Sequence, residues 1–221
     1  MVETKSSRGA RITWPLYLLF FLVAGVTGAI ISWGFLTESL AVLGIPDPGP
    51  ITTAGLPLLR AGAWLLAALS VGSFLFASFL LSPRQGDIRR ASLTVDGLIA
   101  SRTGAVAALV FALIGIIMVP LVLSDVSGQS ITEAIQPANW FVALNQVADA
   151  KAWLISAMIA LVVGGAALIA PRTWMWQPVW LVGAILIVAP QGLSGHSAAG
   201  GDHDYGTNSL LWHVLFMMLW V

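Results

Sequence analysis

Six long stretches without a single Asp, Glu, Lys or Arg set the pattern of this chain: Ile12–Thr37, Ala61–Pro83, Thr103–Ser124, Ala152–Pro171, Thr173–Gly201 and Tyr205–Val221. Five of them reach the about 20 residues with which an apolar helix crosses a hydrocarbon layer about 30 Å thick. Backbone polar groups cannot be left unpaired in lipid, so a crossing segment is either a helix or a strand of a closed barrel. Barrel strands alternate lipid-facing and lumen-facing residues with period two. These runs show no such alternation. The pattern predicts an all-α, polytopic transmembrane bundle of about six helices, over Trp14–Leu36, Pro57–Leu81, Arg102–Leu123, Ala150–Ala170, Trp174–Leu193 and from Gly206 onward. The last run stops at Val221 without a polar flank, and the expectation is a truncated sixth span in a single membrane domain, residues 1–221, that continues in the natural protein.

Between the runs the charges segregate by sign. Lys5, Arg8, Arg11, Arg84, Arg89, Arg90, Arg102 and Arg172 fall on one side; Arg60 and Lys151 accompany Glu38, Asp47, Asp125, Glu133, Asp149, Asp202 and Asp204 on the other. By the positive-inside rule the amino terminus is expected in the cytoplasm and the acidic loops outside it. A secretory signal peptide is the competing account of the first 36 residues, and the length of the Ile12–Thr37 run counts against it. Arg60 is expected to snorkel to the interface or to pair with an outer carboxylate, and Arg89 and Arg90 to set topology with anionic lipid as a contact.

Composition agrees with a membrane class: 58% of residues are hydrophobic and 9% charged, where soluble domains carry about 25% charge. A net charge of zero offers nothing toward nucleic acid as a partner. The absence of cysteine removes disulfides, thiolate metal sites and thiol catalysis. Gly25 with Gly28, and Gly62 with Ala63 and Ala67, fit close helix packing, for which lipid supplies no hydrophobic drive. Trp14, Trp153, Trp174 and Trp176 fall near expected interfaces, and the loop from Asp125 to Asp149 has the mixed character of a short interfacial helix.

Candidate chemistry concentrates at one place. All three histidines, His196, His203 and His213, lie within 18 residues at the acidic end of the fifth and sixth helices, with Asp202 and Asp204 flanking His203. Imidazole suits copper, zinc, iron or nickel, and a neighbouring carboxylate serves as ligand or orienting partner. Met217 is four residues beyond His213 and shares its helical face, and Met118 and Met158 sit on neighbouring helices; thioether with imidazole favours Cu(I). The alternative account is a solvated polar turn with one packed histidine and packing methionines. No nucleotide-binding glycine motif and no nucleophile elbow is present, so no enzyme activity is expected.

The stretch Ser194–Gly195–His196, the glycine-rich loop with Asp202, His203 and Asp204, and the helix carrying His213, Leu219, Trp220 and Val221 resemble the copper resistance protein D (CopD) family. The segments Leu93–Leu98 and Ser124–Asp125 resemble its actinobacterial form, in which that module is fused to a cytochrome c oxidase assembly (CtaG-like) domain. The resemblance implies a multi-pass protein of the bacterial cytoplasmic membrane that handles copper ion, by transport or by delivery toward oxidase assembly. Membrane lipid, an extracytoplasmic copper donor and oxidase assembly factors are the implied partners. His196, His203 and His213 are then the capturing ligands, Asp202 and Asp204 orient or supplement them, and Met217 passes copper inward. Two other functions stay open: a structural subunit of a respiratory complex without its own metal, and a haem-binding electron carrier, for which only His213 lies clearly within a helix.

Overall fold

The computed structural model describes residues 15, 18–19, 22–31, 47–81, 91–194 and 203–220. They form an all-α bundle, and four helices are long and apolar enough to cross a membrane. In chain order the elements are α1 (Leu22–Ile31), α2 (Pro50–Leu75), α3 (Val95–Ser127), α4 (Ile131–Ala134), α5 (Pro137–Gln146), α6 (Ala148–Ile169), α7 (Gln177–Leu186), α8 (Ala189–Ser194) and α9 (His203–Trp220). The spans are α2 with its continuation to Leu80, α3, α6, and the run Trp174–Ser194 that contains α7 and α8. Shorter apolar helices, Leu22–Ile31 and Asn208–Leu219, stand where the first and sixth spans are expected.

Three spans begin earlier than the uncharged runs indicate, α2 and α3 by more than α6. Helix α2 starts at Pro50, whose missing N–H is harmless in a first turn, and carries Pro57 in its interior. Helix α3 starts at Val95, where the Thr94 hydroxyl accepts the Gly97 N–H at 3.1 Å and Asp96 sits at the positive end of the helix dipole. It ends at Gly128, whose φ of 66° places it in the left-handed region that glycine adopts without a Cβ penalty. The mixed loop after it folds as α4 and α5, as its sequence suggests.

The fifth span is broken. Pro190 has no N–H, and its ring crowds the carbonyl four residues back, which is Leu186, the last residue of α7. The chain passes through two tighter bonds, Ile187 N–H to the Ala184 carbonyl at 3.2 Å and Val188 N–H to the Ile185 carbonyl at 3.3 Å, before α8 begins. At the basic end, α2 widens into a π turn over Phe76–Leu80, and the Ser78 carbonyl accepts the Trp174 indole N–H at 3.0 Å. An isolated antiparallel bridge, Ser92 with Thr173, ties the two connections of that end together.

Helix α3 is the centre of the bundle, packed between α2 and α6 along seams of small residues. A Cβ on Gly115 would lie 2.9 Å from the Ala157 Cβ, and one on Gly164 would lie 2.7 Å from the Ala105 carbonyl oxygen. The glycines let these backbones touch, which substitutes for a hydrophobic drive that lipid does not provide. Gly25 and Gly28 approach Leu58 and Pro57 in the same manner, and Gly62, Ala63 and Ala67 are buried, in agreement with the pattern of small residues in the sequence. Between these seams lie Phe74, Phe111, Met118 and Trp153, all buried.

Candidate functional site

At the acidic end the helices part around a partly open chamber of about 390 Å³ with a mixed polar and apolar lining. Arg60 from α2, Asp125 from α3 and Asp149 from α6 line it; Trp64 and Trp153, one turn further along α2 and α6, line it as well. Gln191 and Ser194 complete the wall from α8. The break at Pro190 creates this last contribution: a continuous helix would carry residues 191 and 194 on a different course.

Each side chain is held by its element. Arg60 donates to the Asp149 carboxylate at 3.2 Å, a pair in which the two side chains are 42% and 34% exposed. The sequence allowed either snorkelling or pairing for Arg60, and the structure has the pair. Next to Asp125, the Ser124 hydroxyl donates to the Gln129 carbonyl at 2.6 Å. Its only proton is committed there, so Thr52, at 2.7 Å, is the donor in their mutual bond. That chain of hydroxyls fixes the start of α2 to the end of α3 and with it the height of Asp125 relative to Arg60.

Trp153 departs from the interfacial role its position suggests. It is 1% exposed, stacks on Phe111 with ring centroids 6.1 Å apart, and its indole N–H has no acceptor among the described residues. Its neighbours on α6 place it inside the bundle because α5 and the chamber rim cover the end of that helix. The amide Nε2 of Gln191 and the hydroxyl of Ser194 are also buried without a partner among the described residues. Trp174 and Trp176 stay near the basic end, the first bonded to Ser78, the second stacked on Trp180 at 5.8 Å.

In sequence, Ser194 on the chamber wall is two residues from His196. His196 and Asp202 lie outside the described residues. The backbones of His203 and Asp204 form the first turn of α9, and their side chains lie outside what is described. Helix α9 crosses α8 closely at Gly192, where a Cβ would come 3.1 Å from the Leu211 side chain. His213 and Met217 share one face of α9, as their spacing requires, and that face is exposed, Met217 by 48%. Met218 is the methionine that α9 buries. Met118 is buried in the core of α3 and Met158 is 59% exposed on α6. Among the described residues no group of three or more His, Cys, Asp or Glu side chains is positioned to hold a metal ion.

Sequence reasoning did not assemble the chamber. Arg60, Asp125 and Asp149 are charges of one bundle end in the sequence, and only the signs carry information; Gln191 and Ser194 have no sequence signal beyond their nearness to Pro190, and the burial of Trp153 has none.

Comparison with known proteins adds a family. The description "Copper resistance protein D-like, N-terminal domain" matches residues 51–204. An uncharacterized protein of Mycobacterium leprae (strain TN) is 27% identical over 195 residues, covering 86% of this chain. The chain spans 29% of that relative's length. No solved structure matches.

Proposed function

Since the chain belongs to the copper resistance protein D-like family, we propose that this multi-pass membrane protein captures copper at the acidic end of its bundle, for transport across the membrane or for delivery to cytochrome oxidase assembly. The family match carries the reading. It takes in His196, Asp202, His203 and Asp204 and stops short of His213 and Met217. In the proposal the three imidazoles are the capturing ligands, Asp202 and Asp204 orient or supplement them, and Met217 offers Cu(I) a thioether on the helical face it shares with His213. The charge distribution supports a placement in the bacterial cytoplasmic membrane with this end outside, where an extracytoplasmic copper donor would meet it. The finer likeness, to the form joined to a CtaG-like domain, and with it oxidase assembly factors as partners, rests on the resemblance of Leu93–Leu98 and Ser124–Asp125 to that form.

Copper is the cargo in this reading, so the protein must bind it reversibly. Imidazole and carboxylate ligands are protonated below their pKa values and release metal as they gain protons. Equilibrium dialysis of the purified full chain against Cu(I) and Cu(II) tests the assignment. Replacing His196 and His203 together by Ala is expected to lower affinity at least about 100-fold, the order of loss that accompanies removal of metal-supporting groups. Unchanged stoichiometry and affinity in that variant would remove both residues from the site.

A further inference from the structure

The basic end of the bundle holds a second pocket, and the charges on its walls have one sign. A space of about 50 Å³ lies between the first turns of α3, the end of α6 and the start of α7, and most of its surface is polar. Arg102 of α3 and Arg172, just beyond α6, both line it, and no carboxylate does. Among the described residues neither arginine has an ion-pair partner, whereas Arg60 at the other end is held by Asp149. Two guanidiniums that share one small pocket repel each other until an anion stands between them.

The backbone fixes this arrangement. The Leu93 N–H donates to the Arg172 carbonyl at 3.0 Å and the Trp174 N–H to the Ala91 carbonyl at 2.9 Å, on either side of the Ser92–Thr173 bridge. These bonds hold the α6–α7 connection against the segment that leads into α3, so Arg172 is carried by paired extended backbone and not by a free loop. Gln177, the first residue of α7, lines the pocket too and is 2% exposed. Its carboxamide oxygen has no hydrogen-bond partner among the described residues, so nothing there fixes which end of the amide faces the pocket, and an anion selects the amino end. The amino end of α7 has no side-chain cap, and its dipole adds positive potential at the same place.

Depth in the membrane selects the anion. Arg102 immediately precedes the uncharged run Thr103–Ser124, and Trp174 and Trp176 follow Arg172, a combination that sits at the level of lipid headgroups. The anion most abundant there is the phosphodiester of the lipid itself, and arginine matches phosphate with its planar fork of donors. From the pocket an apolar track leads toward the middle of the bilayer: Leu168, which lines the pocket, is exposed, and Leu161, Val162 and Met158 continue the exposed flank of α6. A free phosphate gains nothing from that track; an acyl chain does.

We propose that Arg102 and Arg172 clamp the phosphate of one anionic glycerophospholipid at the basic end, with the Gln177 amide and the amino end of α7 as further donors and an acyl chain lying along α6. The bound lipid bridges α3 to the α6–α7 connection and offsets the repulsion between the two guanidiniums. A zwitterionic lipid brings an ammonium group to the same place and binds more weakly. The site lies at the end of the bundle opposite to the Arg60–Asp149 pair and does not depend on the copper reading.

Native mass spectrometry of the delipidated full chain, titrated in detergent with phosphatidylglycerol or phosphatidylethanolamine, reads the affinity of the first lipid adduct. Phosphatidylglycerol is expected to fill one site about ten-fold or more tightly than phosphatidylethanolamine, and replacing Arg102 and Arg172 together by Gln is expected to remove that preference. Gln177→Glu leaves both arginines in place and supplies them with a carboxylate of the protein's own. It is expected to weaken the first phosphatidylglycerol adduct as much, and it decides the matter if the double replacement fails to fold. Lys151→Gln, which removes a basic residue of the acidic end, leaves the preference unchanged. Equal affinity for the two lipids, a preference that survives either pocket variant, or an equal loss in Lys151→Gln would each overturn the proposal. Displacement of bound phosphatidylglycerol by millimolar inorganic phosphate would assign the pocket to a free oxyanion and overturn the lipid assignment.

Discussion

The middle of the bundle and its acidic end are built from the same three helices and obey opposite rules. Along the α3–α6 seam, Gly115 and Gly164 bring backbones into contact, and the polar group in the neighbouring α2–α3 seam is satisfied, as where the Ser70 hydroxyl donates to the Gly104 carbonyl at 3.0 Å. One or two turns away, bulky and charged residues replace the glycines, the helices part, and buried polar atoms of Trp153, Gln191 and Ser194 lack partners among the described residues. The contrast teaches that in this bundle side-chain volume at the seam, more than hydrophobicity, decides where the interior is closed and where it is open. Trp153 belongs to both regions: its ring stacks on Phe111 in the core, and the residue also lines the chamber.

The contrast breaks most visibly at that indole. Trp153→Ala removes the stacked ring from the core and is expected to destabilise the protein by about 3 to 5 kcal/mol in a denaturant titration of detergent-solubilised chain. Trp153→Phe keeps an aromatic ring against Phe111 and deletes the N–H with a smaller part of the indole, so its cost is expected to be about 1 to 3 kcal/mol, below that of the Ala variant. A Phe variant as damaged as the Ala variant would mean that the N–H, and not the ring, holds this region.

A pair of adjacent glycines sharpens the closed side. A Cβ at Gly164 meets the Ala105 carbonyl oxygen at 2.7 Å, while one at Gly165 meets nothing within 4 Å. Gly164→Ala is expected to cost about 1 to 3 kcal/mol through overpacking, and Gly165→Ala to be neutral or to stabilise by up to about 1 kcal/mol through helix propensity. Equal melting temperatures for the two variants would contradict the packing described for this seam.

The smallest effect is expected on the open side. Arg60 and Asp149 are both partly exposed, and such pairs contribute about 0.2 to 1 kcal/mol. A double-mutant cycle with Arg60→Met and Asp149→Asn should return a coupling in that range, falling as salt is raised. A coupling of several kcal/mol would show that the rim is closed to water.

Much of the fold is legible in the residues, and the places where it is not share a physical cause. Uncharged runs located every span because charge is excluded from hydrocarbon, yet helices extend beyond hydrocarbon. Arg102 and Asp125 bound an uncharged run without ending α3, and Pro50 rather than Pro57 opens α2. The break between α7 and α8 was written in Pro190, inside a run apolar enough to mask it. The chamber was not legible, because Arg60 and Asp149 are separated by 89 positions and nothing in either neighbourhood names the other. For the histidines the spacing of His213 and Met217 gave their common face on α9, while which way that face turns depends on α9 crossing α8 at Gly192 and Leu211.

Copper capture by the hairpin is the central claim, and the ligands themselves are its most direct witness. X-ray absorption at the copper edge of the metal-loaded full chain should show the outer-shell scattering of imidazole rings, and that signal should disappear when His196, His203 and His213 are all replaced by Ala. A spectrum with oxygen ligation alone, or one that the triple replacement leaves unchanged, would contradict the account.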